Sequence, residues 1–113
     1  MPNTPLVAGP AYITNSAANV SGVNPSANTF HLVRHIHLTN TDSSARTVTL
    51  YKGLTGGSAG GTEILKNKSI AAGDVFDMYF PAGDKYTTSD FLSAVASVTN
   101  VVTIEVTGEK YAA

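Results

Sequence analysis

Three histidines, His31, His35 and His37, share one short stretch and the same parity along the chain. On a β-strand that spacing puts the imidazoles on one face, an arrangement that several metal sites use. Zinc is the chemistry such a face could support. The other donors are scarce: the chain has no cysteine, no glutamate falls at a supporting position, and the nearest carboxylate, Asp42, sits in the following turn. Asp77 stands alone. The residues therefore predict a solvated or interface face of a sheet, with no metal and no cofactor.

Other candidate chemistry is weaker. Gly56-Gly57-Ser58-Ala59-Gly60 has the letters of a Gly-x-Ser-x-Gly nucleophile elbow, but that elbow needs a strand–turn–helix setting and this run is a glycine-rich loop with no helix after it. It also lacks the Gly-Lys-Ser/Thr of a phosphate loop, and Glu63 would repel a phosphate. Asp74, Asp84 and Asp90 fall at expected turns or caps, where the side chain bonds the backbone. No catalytic residue is assigned, and the chain is read as not an enzyme. Seven lysines and arginines against eight carboxylates give a formal net charge of −1. Those cations are spread from Arg34 to Lys110 without a basic patch, which argues against nucleic acid. No apolar run approaches the ~18 residues of a membrane span.

The elements that must position these residues read as strands. Phe30, Leu32, Arg34, Ile36 and Leu38 alternate with His31, Val33, His35, His37 and Thr39 in a period of two. Asn40 to Ser44 is a turn cluster, and Arg46 to Tyr51 alternates again, so the two segments are expected to form a hairpin. Thr62 to Ile70 reads as a further strand with Lys66 and Lys68 on its wet face. Ala72-Gly73-Asp74 turns the chain into Val75 to Phe80, and Ala82-Gly83-Asp84 looks like the same turn again. Residues 88 to 97 allow a helix capped by Ser89 or Asp90, but Leu92, Ala94 and Ala96 alternate with Ser93, Val95 and Ser97, which favours a strand. Val102, Ile104 and Val106 make the last one, ended by Gly108.

Composition agrees with this. Among 113 residues there are 14 Thr, 10 Ser, 8 Asn, 11 Val, 10 Gly and 5 Pro, types that favour strands, turns and caps over helix interiors. The expected fold is all-β, a small antiparallel β-sandwich or jelly-roll-like barrel of about six to eight strands with an extended N-terminal arm. Only 13% of residues are charged, and none of the first 33 is Asp, Glu, Lys or Arg. Residues 1–28 are therefore read as an extended arm or a first edge strand, and 29–113 as the sandwich domain. The start of the chain has neither the basic patch nor the apolar core of a signal peptide, which predicts retention in the cell that makes it.

Several segments carry a family resemblance: Val33-Arg34-His35-Ile36-His37-Leu38-Thr39-Asn40-Thr41, Ala45-Arg46-Thr47-Val48-Thr49-Leu50-Tyr51, the Gly-Ser-Ala-Gly loop, Ser69-Ile70-Ala71-Ala72-Gly73-Asp74, and Val102-Thr103-Ile104-Glu105-Val106-Thr107-Gly108. Over about 80 of the 113 residues the chain resembles small virion structural proteins of tailed bacteriophages. It departs from their pattern in the apolar stretch around Phe91 and Leu92 and in the uncharged N-terminal third. The resemblance implies a capsid decoration (cement) protein, made in the host bacterial cytoplasm, that binds the major capsid protein on the virion surface as a dimer or trimer. A minor tail or head-to-tail component and a carbohydrate-binding sandwich used in adsorption are the alternatives. In the first role Leu6, Val7, Tyr12 and Ile13 would enter apolar grooves of the shell without desolvating a charge. Deleting residues 1 to 25 is then expected to leave the domain folded and abolish particle binding.

Overall fold

Alternation of buried and half-buried positions along Val102–Ala112 follows the valines and isoleucine read above, with Val102, Ile104 and Val106 turned inward. The same rule builds the rest of the chain. The computed structural model describes residues 3–55, 57 and 60–112. Ser58, the would-be nucleophile of the Gly-x-Ser-x-Gly run, lies outside them.

In chain order the strands are β1 (Thr4–Tyr12), β2 (Ala18–Asn19), β3 (Thr29–Asn40), β4 (Arg46–Gly53), β5 (Glu63–Ile70), β6 (Val75–Tyr86), β7 (Phe91–Ala96) and β8 (Val102–Ala112). There is no helix among the described residues, so no helix is long and apolar enough to cross a membrane. The strands form two antiparallel sheets ordered β1-β8-β3-β6 and β2-β7-β4-β5. Neighbours include β1 with β8, β2 with β7, β3 with β6 and β4 with β5. That is the order a long antiparallel ribbon acquires when it is rolled up, the jelly roll. Ile36, Leu38 and Ile104 from one sheet meet Leu50 and Leu92 from the other in a single core. The strand reading of 88–97 is realised as β7.

Three expectations are corrected. First, β3 and β4 are not a hairpin: they lie in different sheets, and the turn between them carries the chain across the sandwich. Asn40, fully buried, holds that crossing, because its side-chain amide donates to the carbonyls of Ser44 at 2.9 Å and Ile70 at 3.0 Å while its oxygen accepts the N–H of Asp42 at 3.0 Å. The true hairpin is β4–β5. Second, Ala82-Gly83-Asp84 does not end a strand. It belongs to an outward excursion of β6, since the register jumps from Asp84 opposite Val33 to Tyr79 opposite His35.

Third, β3 does not keep one face throughout. Its register slips between Val33 and His35 against both neighbours, so Arg34 is an extra residue in a β-bulge and the inward parity changes there. His31 and Val33 point into the core before the bulge, and Ile36 and Leu38 after it. His31 is thus separated from His35 and His37. It is a satisfied core histidine whose Nδ1 donates to the Val23 carbonyl at 2.7 Å. Gly108 sits beside the bulge, and a Cβ there would strike the Leu32 carbonyl.

Among the described residues, one buried side-chain atom lacks a partner. Tyr86 is fully buried and its hydroxyl makes no hydrogen bond, while burial pushes its ionisation above the usual tyrosine range. Leaving a hydroxyl dry and unpaired costs free energy that phenylalanine would not incur. Tyr86→Phe is expected to raise stability by about 1 kcal/mol, read as a higher urea midpoint at unchanged slope. A lower midpoint would show that the hydroxyl is satisfied after all.

Candidate functional site

Past the bulge, the outward side of β3 carries His35, His37 and Thr39. The neighbouring strands complete the patch. On β6, Asp77 lies opposite His37 and Tyr79 opposite His35; on β8, Glu105 lies opposite His37 and Thr107 opposite His35. Residues directly opposite on one face have Cβ atoms ~5 Å apart, which explains the contacts that follow. His35 Nε2 donates to Asp77 Oδ1 at 2.8 Å and His37 Nδ1 donates to the same oxygen at 2.5 Å. The carboxylate can only accept, so both ring nitrogens carry the proton. His37 Nε2 then accepts from the Thr39 hydroxyl at 3.1 Å. Tyr79, 69% exposed, stacks flat on His35 with ring centres 4.5 Å apart.

These hydrogen bonds have an electrostatic consequence. The bond from His37, followed by that from His35, holds the Asp77 carboxyl below the usual carboxylate range. Two turn carboxylates are lowered as well, Asp42 chiefly by Arg46 and Asp90 chiefly by the Thr87 N–H. A carboxyl with a depressed folded pKa contributes stability that is complete above its unfolded value, about 3.9 for Asp, and that disappears as pH falls through the lower folded value. The urea midpoint is therefore expected to hold near neutral pH and to fall steeply below about pH 4. In Asp90→Asn, which loses one of these titrations, the fall should be shallower. Identical acid limbs would contradict the assignment.

The sequence reading missed this constellation. Along the chain Asp77 stands isolated and no glutamate is close to the histidines, yet the topology brings Asp77 and Glu105 to the two flanks of His37. The available signal was an His-x-His pair on one strand and an Asp-x-Tyr pair on another, both of period two. Nothing local tells the two strands that they are neighbours.

The residues expected to contact a partner divide by face. Leu6 is 1% and Ile13 3% exposed, both within the chain's own core, whereas Val7 is 61% and Tyr12 56% exposed. Between the latter two, a bulge at Gly9-Pro10 interrupts the pairing of β1 with β8. An apolar cleft of about 250 Å³ opens beside Tyr12, between the end of β1 and β2. Among the aromatics, Tyr111 stacks on Phe30 at 5.0 Å. Tyr12 and Tyr79 lie on opposite edge strands of one sheet, at least about 14 Å apart at ~4.8 Å per strand and offset along the strands as well, too far to sandwich one sugar ring. Among the described residues, three of the seven cations are ion-paired: Arg34 with Glu109 at 2.9 Å, Arg46 with Asp42 at 2.6 Å and Lys52 with Asp84 at 2.8 Å.

Comparison with known proteins places the fold. No family model matches the chain, and no curated protein matches it in sequence. Among solved structures, the chain is similar to a protein of the virus-like particle of extra small virus from the giant freshwater prawn Macrobrachium rosenbergii. That superposition has a TM-score of 0.57 at 8% identity and covers 97% of this chain and 77% of the other. It is also similar to a protein of the disulfide-linked pili that form Bacillus endospore appendages, with a TM-score of 0.50 at 13% identity over 98% of this chain and 85% of that one.

Proposed function

We propose that the chain is a non-enzymatic structural protein of a virion, specifically a capsid decoration protein that binds the major capsid protein on the outer surface of a phage head. The observation that carries this reading is the make-up of β1. Its inward side chains, Leu6 and Ala8, are buried in the core, and its outward side presents Val7 and Tyr12 from a segment without a single charge. It is also an edge strand, so its outer row of backbone donors and acceptors is open to a strand of another protein. The β1 side chains can be buried against a shell without desolvating an ion of their own, and each added contact stabilises the assembled state by mass action.

The neighbours in fold support an assembly role, one from a virus-like particle and one from a pilus. Disulfide linkage of the second kind needs cysteine, and this chain has none, which favours the virion reading. Under this proposal the protein acts on the capsid surface as a dimer or trimer.

The test adds purified protein to phage heads that lack it. Wild-type protein should saturate a fixed number of surface sites. Val7→Lys/Tyr12→Lys, confirmed as folded by circular dichroism, should bind at least tenfold more weakly, about 1.4 kcal/mol or more. Equal occupancy by the variant would remove β1 as the contact, and failure of the wild type to bind would overturn decoration itself.

A further inference from the structure

We propose that His35, His37 and Asp77 form a binding site for one divalent transition cation of the zinc class on the outer face of the β3–β6 pair. The proposal stands independently of the virion reading, because it uses other residues, two or more strands away from β1 on the same sheet, and a different ligand.

Donor type and geometry carry it. Two imidazole nitrogens and one carboxylate oxygen lie within 4.8 Å of one another, and this donor set suits zinc and its first-row relatives. A cation ~2.0–2.1 Å from each donor holds its ligands about 3.3 Å apart in tetrahedral geometry. The present separations from Asp77 Oδ1, 2.8 Å to His35 Nε2 and 2.5 Å to His37 Nδ1, need to open by less than about 1 Å, and the two ring nitrogens, within 4.8 Å of each other, must settle at the same spacing, adjustments that side-chain rotation supplies. The three side chains are about one-third exposed, so the cation can enter from solvent and keep a water in its fourth position.

The supports of such a site are also present. All three ligands stand on paired strands, with His37 directly opposite Asp77, and ligands on rigid elements are held more accurately than ligands on loops. When His37 coordinates through Nδ1, its Nε2–H can donate to the Thr39 hydroxyl, now 3.1 Å away, and fix the ring as outer-shell partners do. Tyr79 fixes the plane of His35 by stacking. The surrounding charge favours a cation as well. The positions facing His35 and His37 are Asp77 and Tyr79 on one flank and Glu105 and Thr107 on the other, with no lysine or arginine among them.

The experiment titrates the full chain with zinc chloride by calorimetry and follows the histidine rings by NMR. One zinc per chain should bind, and the ring signals of His35 and His37 should shift while buried His31 stays in place, an internal control that needs no variant. Cobalt should bind at the same site and give the visible absorption of a tetrahedral centre. His37→Ala and Asp77→Asn, each checked for a cooperative melt, should weaken zinc binding at least tenfold. A melting temperature about 10 °C higher at zinc a hundredfold above Kd is the expected stability readout. No saturation by about 1 mM zinc, equal shifts of all three histidines, or unchanged binding in folded variants would each overturn the site.

Discussion

Deleting residues 1–16 is expected to leave a chain that does not fold cooperatively. The deletion removes β1, and with it Leu6, Ala8 and Ile13 from the core. It also removes the backbone bonds by which Ile13 and Thr14 tie the two sheets together: Ile13 N–H to the Val102 carbonyl at 2.8 Å, Asn100 N–H to the Ile13 carbonyl at 3.1 Å, and Ala96 N–H to the Thr14 carbonyl at 2.9 Å. Truncating one buried Leu or Ile to Ala costs about 2–5 kcal/mol. Losing two of them outright, with a strand's worth of pairing, approaches the roughly 5–15 kcal/mol that holds a whole domain together. Circular dichroism should show no cooperative melt, and amide NMR signals should collapse to the narrow range of an unfolded chain. A sharp melt within a few degrees of the full chain would show that the N-terminal segment is a dispensable arm, the outcome anticipated when its lack of charge is considered alone.

Gly108→Ala is expected to be the most damaging conservative substitution in the sheets. A Cβ at this position meets the carbonyl of Leu32 and crowds the N–H of Arg34, the backbone that swings out to form the β3 bulge. Neither atom can rotate away as a side chain would. The strain sits at the upper end of overpacking costs, about 3 kcal/mol, which for a domain of this size lowers the melting temperature by about 10 °C. Gly60→Ala, where an added Cβ meets nothing within 4 Å, should be silent and serves as the control. The bulge also places His35 and His37 on the outer face, so the NMR signals of those rings should move in Gly108→Ala and not in Gly60→Ala. A loss below 1 kcal/mol with unmoved rings would remove the bulge from the account.

These two cases show where the sequence is informative and where it stops. Period-two alternation in 30–38, 46–51, 62–70 and 102–106 is local, so β3, β4, β5 and β8 could be read directly, and even the ambiguous 91–96 resolved by parity. Pairing is not local. β3 finds β6 and β8, more than thirty residues away, instead of the nearby β4, because the closed sandwich buries both sheets where a β3–β4 hairpin would leave one apolar face wet. The bulge is likewise invisible along β3 itself. Its signature is Gly108 on another strand, a glycine whose local sequence suggests only a strand end, although β8 continues through it to Ala112. For the same reason the candidate site was half legible: His35 and His37 stood out, while Asp77 and Glu105 acquire meaning only through their register opposite His37. Charge was the opposite kind of signal. The empty first 33 residues were plain in the sequence, and the structure adds that their apolar side chains divide between core and surface.

The central claim, that this chain is a structural component of a virion surface, is tested most directly by imaging the intact particle from its source by cryo-electron microscopy and locating the chain in the density. The account predicts a sandwich of two four-stranded sheets on the outside of the head, at symmetry-related sites, with Val7 and Tyr12 of β1 against the major capsid protein. Particles that carry no copy of the chain would contradict it.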